Sequence, residues 1–369
     1  YLNRLSYGRG YVGPAAAAEG YFGVAPSELS WAQAALMAVL PRAPSHLDPV
    51  RHPDRARVRQ ARLLEEIHAA GLMSDADLER ALAEPWAIQP DARPFAAPHL
   101  VEALRQEQLG GLAEGHETRT TIDLELQRDV ESLVAAHRPR LAEARANNAA
   151  VMVVDNHSGE VLAYLGSAAF HDDAISGQID MARAPRQPGS TLKPFIYALA
   201  FARGVQPTDP LPDVPTDFHG YAPGNFSGAY LGPVPAREAL AGSLNVPAVQ
   251  LASSLPREEL AGSLTALGVR ELDVDELGLS LALGSAEISM VELATAYVAL
   301  ARGGDAIDLR FRIDADAGRP VAAGRRVLDA AACAAVTEAL ADPVARVRGL
   351  GGTGPFAVGF PVAVKTGTS

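Results

Sequence analysis

The chain has one cysteine, so no internal disulfide can form. In Ala331-Ala332-Cys333-Ala334-Ala335, the thiol reads as a small core residue on a helix. Nine histidines are present, but none is paired at metal-ligand spacing with another or with Cys333, so no metal and no other cofactor is expected. Basic residues are outnumbered by acidic ones, 32 to 44, giving a net charge of -12. That balance excludes the broad basic face a nucleic-acid partner requires. Long apolar runs are missing too. The longest near the start, Ala34 to Leu40, is far short of the roughly 20 residues that cross a bilayer, and no signal peptide is present. There is no internal repeat and no low-complexity tail.

Lysine is scarcest of all in relation to need. Of the 32 basic residues only Lys193 and Lys365 are lysines, and every other positive charge is an arginine. An ammonium loses its proton when desolvated or set beside another cation, whereas a guanidinium stays charged. A site that needs a neutral amine therefore cannot accept arginine, and the two exceptions mark themselves as candidates. The bland alternative is a pair of leftover surface lysines.

The 369 residues suffice for two domains, each with its own core. Residues 1 to 85 read as all helical. Ser30-Trp31-Ala32-Gln33 supplies a capping box before an apolar run ended by Pro41. A helix from Pro53 to Ala70 is stopped by Gly71, and Ser74 caps another through Glu84. Arg55, Arg59 and Arg62 share one face of the first of these and read as a solvated surface rather than a phosphate contact. Residues 86–117 lack a strong period, apart from a helical piece around His99 to Leu109, and are expected to connect the domains. The second domain is expected over 118–369. It opens with a strand at Thr118 to Ile122, a helix from Asp123 to His137 and a Val-rich hairpin around Asn156-His157-Ser158-Gly159. Helices follow from Ser190, and the Pro/Gly-rich excursion from Val205 to Pro235 is too long for an ordinary loop. Pro361 to Thr366 is expected to be a strand. The chain opens without Met on Tyr1-Leu2-Asn3 and stops directly after the second lysine motif, so it is expected to be a piece of a longer protein.

Three short motifs carry the chemistry. In Ser190-Thr191-Leu192-Lys193, a three-residue step at a helix start brings the amine beside the hydroxyl, where it can act as base. Helix-start amides there, including the backbone NH of Ser190, can hold a developing oxyanion. Ser243-Leu244-Asn245 is the one Ser-x-Asn in the chain. Its hydroxyl can relay a proton and its amide can hold a substrate amide, although a helix cap with a following turn would look the same. Lys365-Thr366-Gly367-Thr368 brings a positive charge that attracts a carboxylate and depresses the pKa of Lys193. Gly367 lets a substrate backbone lie close. Each motif alone has little weight, but the three together and in this order are specific.

Around these motifs RQPGSTLKPF (Arg186 to Phe195), GYAPGNFSGAYLGPVPAREALAGSLNVPAV (Gly220 to Val249) and LGLSLALGSAEISMVELATAYVALARGG (Leu277 to Gly304) resemble the transpeptidase domain of bifunctional class A penicillin-binding proteins, most closely the 1C type. The first 49 residues are similar to the closing part of the peptidoglycan glycosyltransferase domain that precedes it in that family. The resemblance implies an α+β fold: the helical end of a lysozyme-like domain over 1–85, then an antiparallel sheet flanked by helices. Glutamate-bearing glycosyltransferase motifs, expected upstream of Tyr1, are not in this chain, nor are the remaining sheet strands expected beyond Ser369. The resemblance further implies a serine acyl-transferase that cross-links stem peptides. Ser190 would be nucleophile, Lys193 neutral base and Ser243 proton relay. Asn245 would orient the substrate, while Lys365, Thr366 and Thr368 hold its carboxylate beside Gly367, and the NH groups of Ser190 and Thr368 form an oxyanion hole. The implied partners are stem peptides and lipid II-derived glycan strands, with β-lactams as inhibitors. The parent protein would be anchored in the cytoplasmic membrane by an N-terminal segment, its catalytic domains outside. A D,D-carboxypeptidase or β-lactamase-type hydrolase, or a non-enzymatic β-lactam sensor or scaffold, are the competing readings. No Glu-x-x-Leu-Asn follows Ser243 to serve a class A lactamase.

Overall fold

The structure is a computed structural model that describes residues 2–88, 96–108, 118–313, 324–350 and 358–368. It divides into two compact units, Tyr1–Phe95 and Ala96–Ser369.

The first unit is helical. Helix α1 (Pro14–Phe22) starts on a proline, whose missing N–H costs nothing in the first turn. Helix α2 (Trp31–Val39) opens on the expected capping box: Ser30 Oγ accepts from Gln33 N–H at 3.1 Å, and Gln33 Oε1 accepts from Ser30 N–H at 3.0 Å. Helix α3 (Pro53–Ala69) ends before Gly71, which takes a left-handed φ of 75°, and Ser74 caps α4 (Asp75–Ala83). Small residues let α2, α3 and α4 approach closely, with Ala32, Ala35 and Ala81 buried around Leu64 and Met73. Of the α3 arginines, Arg55 and Arg62 are exposed and Arg59 is partly so, and Arg59 and Arg62 lie 4.0 and 3.8 Å from Glu66.

In the second unit, helix α5 (Pro98–Gln108) is the helical piece expected in the connection, and its Leu100 and Leu104 join this unit's core. Residues 109–117, the rest of that stretch, lie outside the described residues. Helix α6 (Leu124–Glu143) is capped by Asp123 and runs past the expected end at His137, through Pro139. The hairpin β1 (Val151–Val154) and β2 (Val161–Leu165) is antiparallel. Val151, Val153, Ala163 and Leu165 pack with Leu126, Val130 and Val134 of α6, while Met152, Val154 and Tyr164 pack with Leu100 and Leu104. Both faces are covered, and that explains why the two strands read as apolar runs instead of alternating.

Helix α7 (Lys193–Ala202) is buried on every side and is apolar all round apart from Lys193. Its core includes residues of α8 (Ala236–Ala241), α9 (Asn245–Ser254), α10 (Arg257–Ala266), α12 (Met290–Ala301) and α13 (Ala330–Ala341), Cys333 among them. Short helices α11 (Val274–Leu277) and α14 (Pro343–Leu350) complete the set. The long excursion is locally structured: β3 (Pro210–Asp213) pairs antiparallel with β4 (Gly232–Pro235). A last antiparallel pair joins β5 (Asp305–Ala306) to β6 (Arg325–Arg326).

The fold is α+β, as the motifs imply, but two expected strands differ. Among the described residues Thr118 to Ile122 makes a single bridge, Thr120 to Arg312, closed by Thr121 N–H to Phe311 O and Ile313 N–H to Arg119 O, and the next donor, Asp123 N–H, bonds Leu162 O on the other side. Pro361 to Thr366 has no ladder among the described residues. Val364 N–H goes instead to Leu340 O at the end of α13, at 3.2 Å.

Candidate active site

Ser190 sits in a 3-10 turn, Gly189–Leu192, that leads directly into α7. Three residues per turn eclipse positions i and i+3, which sets Ser190 and Lys193 on the same side of the chain. The turn is tied down twice: Thr191 Oγ1 donates to Pro188 O at 2.7 Å, and Tyr297 Oη of α12 donates to Thr191 O at 2.8 Å. Ser190 is half-buried, and its Oγ makes no hydrogen bond among the described residues, the one to Lys193 included. Lys193 is fully buried. Its Nζ donates to Ser243 O at 2.7 Å and to Asn245 Oδ1 at 2.6 Å. Burial, and then the charge of Lys365, hold its pKa well below the ordinary lysine value. Two donated bonds use both N–H groups of a neutral amine and leave its lone pair free to take a proton.

Ser243 lies in the turn between α8 and α9 with a left-handed φ of 58°, a conformation that costs a non-glycine residue about 1 kcal/mol or more. In that turn its carbonyl meets Lys193, and its Oγ accepts from Lys365 Nζ at 2.8 Å. Asn245 is the first residue of α9, where the N-cap, Leu244, has no side-chain acceptor to offer. Its own N–H donates to Asn225 Oδ1 at 2.8 Å, and its Nδ2 to Gly224 O at 2.7 Å.

The third motif closes the site. Lys365 Nζ also donates to Thr366 O at 2.6 Å, and burial lowers its pKa to about 8. At pH 7 it therefore remains about tenfold more often charged than neutral. Glycines mark where this segment lies backbone to backbone against the turn of Ser190. A Cβ on Gly367 would stand 2.7 Å from Pro188 O, one on Gly189 2.2 Å from Thr368 O, and one on Gly284 2.2 Å from Gly189 O. The motifs at 190, 243 and 365, distant in sequence, thus converge on one place. A free hydroxyl three residues before a buried amine of lowered pKa, with a second hydroxyl bonded to Lys365, is equipped for acyl transfer.

Against known families, the penicillin-binding protein transpeptidase domain matches residues 149–369. The chain belongs to the penicillin-binding proteins. Residues 1–68 match the transglycosylase family, so the chain carries parts of both domains of a class A member. It is 37% identical to penicillin-binding protein 1C of Escherichia coli over 85% of this chain and 40% of that protein. It is 30% identical to penicillin-binding protein 2D of Bacillus subtilis over 84% of this chain and 46% of that protein. The chain thus spans less than half the length of these two curated relatives. Among solved structures, penicillin-binding protein 1A from Haemophilus influenzae superposes with a TM-score of 0.67 at 20% identity, covering 92% of this chain and 71% of that one. The protein PonA1 from Mycobacterium tuberculosis in complex with penicillin V gives 0.54 at 22% identity, covering 70% and 74%. No helix among the described residues of this penicillin-binding protein is long and apolar enough to cross a membrane.

The sequence reading passed over Asn225, Asp213, Tyr297 and Gly284, all of which touch the site or its supports. Asn225 sits in a Gly-Asn pair inside a Pro/Gly-rich stretch, where an asparagine reads as an ordinary turn residue.

Proposed function

We propose that the second unit is a peptidoglycan D,D-transpeptidase and that the full-length protein joins it to a glycan-polymerising glycosyltransferase. The observation that carries this reading is the buried Lys193 amine, bonded to Ser243 and Asn245 while Lys365 holds the Ser243 hydroxyl. Residues 1–85 would be the closing part of the glycosyltransferase domain, 86–117 the connection and 118–369 the transpeptidase. The parent would be membrane-anchored through a segment outside this chain, with both domains on the extracytoplasmic side, working on stem peptides and lipid II-derived strands and inhibited by β-lactams.

In this reaction the Ser190 hydroxyl passes its proton to Lys193 Nζ as its Oγ bonds the carbonyl carbon of a D-Ala-D-Ala linkage. The backbone NH groups of Ser190 and Thr368 receive the oxyanion. The carbon–nitrogen bond breaks as Ser243 passes its proton to the departing D-alanine amine and is refilled with the proton that Lys193 took from Ser190, which leaves Lys193 neutral again. Lys365, with Thr366 and Thr368, binds the terminal carboxylate, and Asn245 orients the substrate amide beside Gly367. An amine from a second stem peptide then attacks the ester and gives a proton to Lys193, which hands it to Ser190 Oγ as the carbon–oxygen bond breaks and the new amide forms.

The transglycosylase match over residues 1–68 favours this reading over a small hydrolase or a sensor. The test is labelling of the full-length protein by a fluorescent penicillin. Ser190→Ala abolishes labelling and Lys193→Arg nearly abolishes it, while the wild-type acyl-enzyme persists for many minutes. Labelling that survives in the Ser190 variant refutes the assignment, and rapid release of the drug by the wild type points to a hydrolase.

A further inference from the structure

Asn225 belongs to none of the three motifs, yet it is buried and its carboxamide is fully engaged. Its Oδ1 accepts from Asn245 N–H at 2.8 Å, and its Nδ2 donates to Asp213 Oδ1 at 2.7 Å and Ala229 O at 3.0 Å. Those partners allow only one orientation. Flipped, the amide would aim its NH2 at an N–H and its oxygen at a carboxylate and a carbonyl. Asp213, fully buried at the end of β3, is fixed in turn by Leu231 N–H, which donates to its Oδ2 at 2.8 Å.

The geometry points to Asn225, anchored by Asp213, as a positioning residue of the acyl-transfer site, a remote helix cap that sets where Asn245 stands against Lys193. The inference rests on the transpeptidase reading above. A helix start leaves its first N–H groups without partners, and Leu244 cannot supply a side-chain cap. Asn225 supplies it from 20 residues away. The neighbouring Gly224 carbonyl takes Asn245 Nδ2, so residues 224 and 225 hold both the backbone and the side chain of Asn245. Only the Oδ1 remains, and it meets Lys193 Nζ at 2.6 Å. A shift of the 224–225 segment is therefore passed directly to the amine.

Stopped-flow acylation of the full-length protein by a fluorescent penicillin separates the reversible binding constant from the limiting acylation rate. Asn225→Asp keeps the side-chain shape but sets two carboxylates against each other. It is expected to lower the limiting rate about tenfold to a hundredfold, the cost of misplacing a catalytic group by about 1 Å. The binding constant should move less than about threefold. The exchanged pair Asp213→Asn/Asn225→Asp restores a donor-to-carboxylate bond and still offers Asn245 N–H an acceptor, leaving the Ala229 carbonyl as the one unmatched partner. It should recover the rate to within about fivefold. The inference is overturned if Asn225→Asp reacts within about twofold of wild type, or if the exchanged pair is no faster than the single variant. It is also overturned if only the labelled fraction falls while the remainder reacts at the wild-type rate, the mark of a purely structural role. A wild type that takes no label removes the transpeptidase reading and this inference with it. Labelled wild type with an indifferent Asn225 removes this inference alone.

Discussion

Replacing Gly189 by alanine tests whether the last segment and the turn of Ser190 must touch. Gly189 has a left-handed φ of 58°, and a Cβ there would stand 2.2 Å from Thr368 O, where ordinary contact begins near 3.4 Å. The difference requires the two backbones to part by about 1 Å, since the obstacle is a main-chain oxygen with no rotamer to yield. The far side offers little room, because Gly284 lies so close to the Gly189 backbone that a Cβ on it would stand 2.2 Å from Gly189 O. The left-handed conformation adds about 1 kcal/mol of strain for a residue with a Cβ. A displacement of that size between Ser190 and the groups that would hold the oxyanion and carboxylate is expected to slow penicillin acylation about a hundredfold. Destabilisation should be only about 1 to 3 kcal/mol. The assay is the limiting acylation rate of the full-length protein, with urea unfolding of the same preparation. A Gly189→Ala protein that acylates within about threefold of wild type would refute the reasoning, because the contact would then have no part in aligning the site.

Further expectations come from the two lysines and from the first unit. The second-order acylation constant, which reports the free enzyme, should rise as pH climbs through the depressed pKa of Lys193 and fall again near pH 8 as Lys365 loses its charge. A basic limb displaced to the ordinary lysine range would contradict the burial of Lys365. Lys193→Met should narrow its advantage over wild type as pH rises. The unfolded lysine stays protonated to about pH 10 while the native one does not, so wild-type stability gains up to about 1.4 kcal/mol per pH unit and levels off above the unfolded pKa. A constant difference between pH 7 and 9 in urea titrations would mean that native Lys193 keeps its proton. Ser30→Ala removes the α2 cap and the 2.6 Å bond from Ser30 Oγ to Glu84 Oε1. It should cost the first unit about 1 to 2 kcal/mol while leaving Ser190 acylation unchanged. Slowed acylation would show that the units are coupled through α2.

What could be read in advance was local or compositional. Ser30 with Gln33, Gly71 before Ser74, and the Val-rich arms around Asn156 each place their partners within a few residues, so propensity and capping chemistry were sufficient. The rarity of lysine singled out 193 and 365 because arginine, the cation used everywhere else, does not give up its proton. Tertiary structure decided whatever depended on distant neighbours. Residues 118–122 and 361–366 carry strand-like sequence, but a strand exists only where a partner offers a ladder. The first of them gets one bridge, to Arg312, before Asp123 N–H turns to Leu162 O, and in the second Val364 N–H goes to Leu340 O. The same holds for charge: burial, more than the charge of Lys365, lowers the pKa of Lys193. Asn225 lies 20 residues from the helix it caps, and no spacing rule connects the two. Sequence alone named the candidate reacting groups, and the packing of α7, α8 and α9 brought them together and lowered the pKa of Lys193.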